Sequence, residues 1–183
     1  MLECIEGFRR CESGRIQVEG KTGVQLQSAS LPAYIRPMEA VHLFEKWKKA
    51  KADLSVLEAL EIGRMKKKLY MELSTGQKRR LHLALALIGD PQVVFLDEPT
   101  AGLDVEGRRA LHDEIRSLAS RGKTVVLASH DMAEVEELCS RILILNQGRV
   151  TFLGTVEELA GYMGKKVPDQ DQDCGGRRRV SGR

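Results

Sequence analysis

Asp97 and Glu98 stand side by side, directly after four apolar residues, Val93 to Leu96, and directly before Pro99. The apolar run predicts a strand buried on both faces, as in a parallel sheet. Open α/β sheets gather ligands at the carboxyl ends of their strands, so the pair sits where chemistry would take place. Adjacent carboxylates can divide labour there, one holding a hydrated Mg²⁺ while the other takes a proton from an attacking water. For an isolated Asp-Glu, a strand ending in a polar turn is the plainer alternative.

Upstream, Leu73 to Gln77 read LSTGQ, ahead of KRRLHLALALIGDP. S-x-x-Q is the pattern of a capping box, in which Ser74 caps a helix and Gln77 reaches back to the Ser74 amide. Free N–H groups at such a helix start, beside the small Gly76, also form a site for an anion. Downstream, Gly102 permits a tight turn and Asp104 is expected to cap a helix beginning near Val105. Residues Thr124 to Ala128, TVVLA, predict a second buried strand. His130 follows at its carboxyl end, on the same side of the sheet as Glu98.

In this order LSTGQ, VVFLDE, AGLD and the His130 of LASHD resemble the ATP-binding cassette (ABC) ATPase family, as its signature, Walker B strand, D-loop and switch histidine. The resemblance covers roughly residues 1 to 160. It implies ATP and Mg²⁺, with Glu98 as general base, Asp97 as the Mg²⁺ carboxylate and His130 as a γ-phosphate switch that positions water. Gln27, closing GVQLQ, resembles the Q-loop glutamine that touches metal or attacking water; a polar strand end is the alternative. Ser74, Thr75, Gly76 and Gln77 would face nucleotide held by the opposite subunit, Thr75 standing where glycine is commoner. Asp104 would lie at the dimer seam. The implied partners are a transmembrane transporter subunit and a second ABC ATPase subunit, in a homo- or heterodimer. The implied place is cytoplasmic, peripheral on the inner face of the cell membrane.

The family's GxxxxGK[ST] loop has no counterpart in these residues. Gly20-Lys21-Thr22 ends like one, but the required earlier glycine falls at Arg15, and strand-like GVQLQ follows where a helix is needed. Leu2, Ile5 and Phe8 are at helical spacing and resemble the back half of the helix that follows such a loop; SGRIQVEG then reads as a turn and a short strand. The chain is therefore expected to be N-terminally truncated, to leave sheet edges unpaired, and by itself to bind ATP weakly and turn over little.

These motifs require an α/β fold. The expectation is a P-loop NTPase-like, mainly parallel sheet with flanking helices plus a helical subdomain, the first strands and P-loop missing. Residues 1–29 would be a remnant of the nucleotide-binding core and 30–75 the helical subdomain. Residues 76–164 would carry the signature helix, Walker B, D-loop and switch histidine, and 165–183 a disordered polar tail. In the helical stretch Ala40, Val41, Leu43, Phe44 and Trp47 form one amphipathic pattern, and Leu54, Leu57, Leu60 and Ile62 another. Lys46, Lys48, Lys49 and Lys51 read as a solvated face. The helix from Gly76 to about Ile88 should be deeply buried. Later, RILIL and RVTFLG flank Asn146-Gln147-Gly148, a hairpin signal, and TVEELAGYM reads as a short helix.

Composition narrows the classes. A chain of 183 residues can bury one core, and its balance of apolar and charged residues is that of a globular protein. No run approaches the roughly 18 to 20 apolar residues that span a bilayer, and no secretory leader is expected. The four cysteines are scattered without a CxxC pair, which favours reduced thiols in a cytosolic compartment. The net charge of +3 resides in the tail, from Lys165 onward, so a specific nucleic-acid surface is not expected. Three functions fit. The first is a transporter subunit that binds and hydrolyses ATP to drive a separate membrane protein. The second is a catalytically deficient subunit lending its LSTGQ face to an intact cassette, and the third a soluble ABC protein acting outside transport.

Overall fold

The computed structural model describes residues 4, 9–10, 13–26 and 29–165. They fall into two compact units, Met1–Leu138 and Cys139–Arg183. Of the expected tail, 165–183, Lys165 ends a helix and the rest lies outside the described residues, as does most of the expected helix within residues 1–10.

The first unit is built on three parallel strands, β1 (Thr22–Gln25), β2 (Val93–Asp97) and β3 (Thr124–Ala128), in that spatial order. Thr22 aligns with Val93 and Gln25 with Leu96; on the other side Val93 aligns with Thr124 and Asp97 with Ala128. Central β2 has Val94, Phe95 and Leu96 wholly buried, which is why its sequence is an unbroken apolar run. TVVLA forms β3 as expected, but half-buried instead of buried, because among the described residues it has β2 alone as a ladder neighbour. No strand forms over SGRIQVEG, whose backbone finds no ladder partner among the described residues.

Helices lie between the strands in sequence: α1 (Pro37–Lys48), α2 (Leu54–Ala59), α3 (Thr75–Leu87), α4 (Val105–Ser120) and α5 (Met132–Leu138). The core runs without a break from the helical stretch into the sheet, joining Ala40, Val41, Leu57 and Ile62 to Leu81, Leu83, Leu85, Val94 and Leu96. α3 comes so close to β1 that a side chain on Gly23 would meet the Ala86 carbonyl oxygen at 2.5 Å. Lys48 departs from the expected solvated face. Its Nζ reaches back to donate to the carbonyls of Leu85, Ala86 and Ile88 at 3.0, 3.0 and 3.2 Å, closing the end of α3.

The second unit is the expected hairpin, β4 (Ile142–Asn146) antiparallel to β5 (Arg149–Gly154), followed by α6 (Val156–Lys165). Gln147 and Gly148 both take left-handed backbone, at φ 48° and 76°, the geometry of a two-residue hairpin turn. Among the described residues no helix is long and apolar enough to cross a membrane.

Candidate active site

β2 delivers Asp97 at its last position and leaves Glu98 to make the turn. The Glu98 amide donates to the Ala128 carbonyl at 2.9 Å, so the residue is pinned to the end of β3 as well. Glu98 has φ 47°, a left-handed conformation that costs a residue with a Cβ about 1–2 kcal/mol. Strain of this kind collects at functional sites. Here it turns the carboxylate toward the loop after β3. Glu98 Oε1 accepts the His130 backbone N–H at 3.0 Å and lies 2.8 Å from His130 Nδ1. The Glu98 side chain is mostly buried while the imidazole is largely exposed. Its hydrogen bond to the Glu98 carboxylate, reinforced by the negative charge, raises the His130 pKa above the ordinary histidine value.

A second cluster forms where α3 begins. Gln77 N–H donates to Ser74 Oγ at 3.3 Å and Ser74 N–H to Gln77 Oε1 at 3.2 Å, which is the expected capping box. Among the described residues the amides of Thr75 and Gly76 have no acceptor, as the first amides of a helix should not. The turn after Glu98 packs on this helix start. A Cβ at Gly76 would sit 3.7 Å from Leu103 Cδ2, and one at Gly102, whose φ is 75°, would sit 3.5 Å from Thr75 Cγ2. Asp104 caps α4 by accepting from Gly107 N–H at 2.8 Å. Ser74, Thr75, Gly76, Gly102, Leu103 and Asp104 line a cleft of about 510 Å³, with Arg79 and Arg80 on its wall.

Glu98 and His130 thus meet in one cluster, beside Asp97. Ser74, Thr75, Gly76 and Asp104 meet in the other, joined to the first through the turn at Pro99–Ala101. Gln77 is spent on the cap and on Lys68 Nζ at 3.4 Å, and is not among the residues that line the cleft. Gln27 lies outside the described residues. Mg²⁺ is ordinarily held by one or two carboxylates together with water and phosphate. The half-buried Asp97 at a strand end suits that donor set, and among the described residues no cluster of three His, Cys, Asp or Glu offers a protein cage instead. Arg79 and Arg80 join the cleft without belonging to any of the motifs; their spacing from Gly76, which places all three on one helical face, is the signal that marks them. His112, on α4, is buried against Glu134, and nothing local in the sequence marks it.

Residues 1–101, more than half of the chain, match the family model described as ABC transporter. The chain belongs to the ABC transporter family. Among curated ABC relatives, the Daunorubicin resistance ATP-binding protein DrrA3 of Streptomyces coeruleorubidus is 34% identical over 90% of this chain and 58% of its own length. Nod factor export ATP-binding protein I of Rhizobium etli is 45% identical over 61% of this chain and 36% of its own. The chain therefore spans less than two thirds of these relatives. The fold agrees. The solved structure of an ATP binding subunit of an ABC transporter superposes with a TM-score of 0.76 at 20% identity, covering 89% of this chain and 75% of that one. RNase-L Inhibitor superposes with a TM-score of 0.72 at 22% identity, covering 90% and 34%. The P-loop NTPase-like α/β architecture expected from the motifs is that of these solved structures.

Proposed function

We propose that this chain serves as the ATP-binding subunit of an ABC transporter, closing against a second ABC ATPase subunit and driving a separate transmembrane subunit. The observation that carries the reading is the Glu98–His130 pair at the carboxyl ends of two parallel strands. Glu98 takes the proton of the attacking water; the strained turn and the His130 amide hold its carboxylate in place. His130 faces the γ-phosphate and fixes the geometry of that water. Asp97 would hold Mg²⁺, which would supply positive charge against the nucleotide's phosphates. Gln27 would contact the metal or the water. Thr75 and Gly76 present their amides, and Ser74 its hydroxyl, to nucleotide bound by the partner, with Asp104 at the seam. The place of action is the cytoplasmic face of the membrane, beside the transporter.

A second reading, favoured by the cleft that Ser74, Thr75, Gly76 and Asp104 line, is a subunit that lends its LSTGQ face to an intact cassette. The test uses an ABC cassette that carries GxxxxGK[ST] but has its own signature serine replaced by arginine. Mixed with the full chain, it should regain Mg²⁺-dependent ATP turnover, and Ser74→Arg in the chain should remove the rescue. Absence of both rescue and co-purification sinks the two-chain reading. The chain alone should bind ATP weakly and turn over little. Hydrolysis by the purified chain that Glu98→Gln abolishes would show the phosphate loop to be dispensable.

A further inference from the structure

Behind His130 lies a buried polar chain that the site described so far does not use. Glu134, on α5, is 2% exposed, and a carboxylate so buried is costly unless it is hydrogen-bonded. Both its oxygens are engaged. Ser129 Oγ donates to Glu134 Oε2 at 2.6 Å, and Glu134 Oε1 lies 3.2 Å from Nε2 of His112, which is 4% exposed on α4. The other imidazole nitrogen, Nδ1, lies 3.2 Å from Glu137 Oε2, and Glu137 is itself bound by Arg116.

What this chain does locally is set by Ser129. The same hydroxyl that donates to Glu134 accepts the Asp131 backbone N–H at 3.1 Å. It therefore bonds on both sides of His130, ahead of it through its own position and behind it through Asp131. His112 belongs to the helix that Asp104 caps, so the network also ties the wall of the signature cleft to the turn that carries His130. An apolar side chain at Glu134 would leave the Ser129 hydroxyl without its acceptor, and one at His112 would strip the buried carboxylate of its second partner, so that Glu134 no longer holds a fixed place for Ser129.

We propose that His112 and Glu134 are positioning residues, holding Ser129 so that the following His130 stays against Glu98. The inference rests on the reading of Glu98 and His130 as the reactive pair. Its test is made without nucleotide, so it can fail while ATP binding stands, and the reverse.

Amide exchange is measured by NMR on the full ¹⁵N-labelled chain and on His112→Phe, His112→Gln and Ser129→Ala. Phenylalanine keeps the ring volume and loses both nitrogens; the glutamine amide can still donate to Glu134. In His112→Phe and Ser129→Ala the His130 and Asp131 amides should exchange at least about tenfold faster, while those of Val94 to Leu96 keep their rates. His112→Gln should recover most of the protection. A rise of the same factor in β2 would mark general loss of stability and overturn the proposal. So would unchanged exchange at His130 in both variants. Should His112→Phe fail to fold, Ser129→Ala, which removes one half-exposed hydroxyl, decides by the same two readings.

Discussion

One oxygen of Glu98 holds His130 twice, taking its backbone amide at 3.0 Å and standing 2.8 Å from its Nδ1. Position and protonation of the histidine are therefore set by the same carboxylate. In Glu98→Gln the charge and the strong acceptor are gone, and the His130 pKa should fall back toward its ordinary value of 6.5. A histidine NMR titration of the two proteins reads this directly. The sign for stability follows from the raised folded value. The pair's contribution is complete below the unfolded pKa and is lost as pH rises through the folded one. Equal titration curves would disprove the pairing.

The left-handed turn at Glu98 makes a second outcome testable. Glycine takes that backbone without strain, whereas alanine does not. Both substitutions remove the carboxylate, so Glu98→Gly should be more stable than Glu98→Ala by about 1 kcal/mol in urea unfolding. Equal midpoints would mean that the turn relaxes when its side chain is lost.

His82 gives the fold an acid-side weakness. Its Nε2 lies 2.9 Å from the Tyr70 hydroxyl, and burial, aided by the charges of Arg79 and Lys78, brings its pKa down to about 4. Between that value and the ordinary 6.5 the unfolded chain takes a proton that the folded chain refuses, so stability declines as pH falls through this window. His82→Leu should flatten the dependence of Tm on pH there. A variant with the same slope as the parent would assign the acid sensitivity elsewhere.

Gly23 is the point where strand and helix touch. A methyl group there would lie 2.5 Å from the Ala86 carbonyl oxygen and 2.9 Å from Pro91 Cγ, neither of which is a flexible tip. Gly23→Ala should cost about 1–3 kcal/mol and loosen β1 ahead of the rest, visible as faster amide exchange at Val24 and Gln25.

The sequence disclosed what is decided locally. Four apolar residues ending in Asp97-Glu98 leave little choice but a buried strand with its charges at the tip. Ser74 and Gln77 at capping-box spacing, or Asp104 before a helix, need no distant partner to declare themselves. Gln77 departs for a local reason, spent on its own cap and on Lys68, whereas the other departures depend on neighbours far along the chain. Lys48 looks like its solvated companions until the carbonyls at the end of α3 arrive, and His112 looks idle until α5 brings Glu134 beside it. The valines of TVVLA promise a buried strand, but how buried depends on how many strands lie beside it, which no single strand records.

Lys48 has a consequence for the chemistry of the intact molecule. A lysine ammonium has three hydrogens, and here three carbonyl oxygens receive them. Burial also lowers its pKa, but an amine whose lone pair would have to face those oxygens is a poor nucleophile. Amine-directed reagents should label Lys46, Lys49 and Lys51 first. An acyl group found on Lys48 would be a scar of earlier unfolding, carried by a molecule that had once let go of its helix.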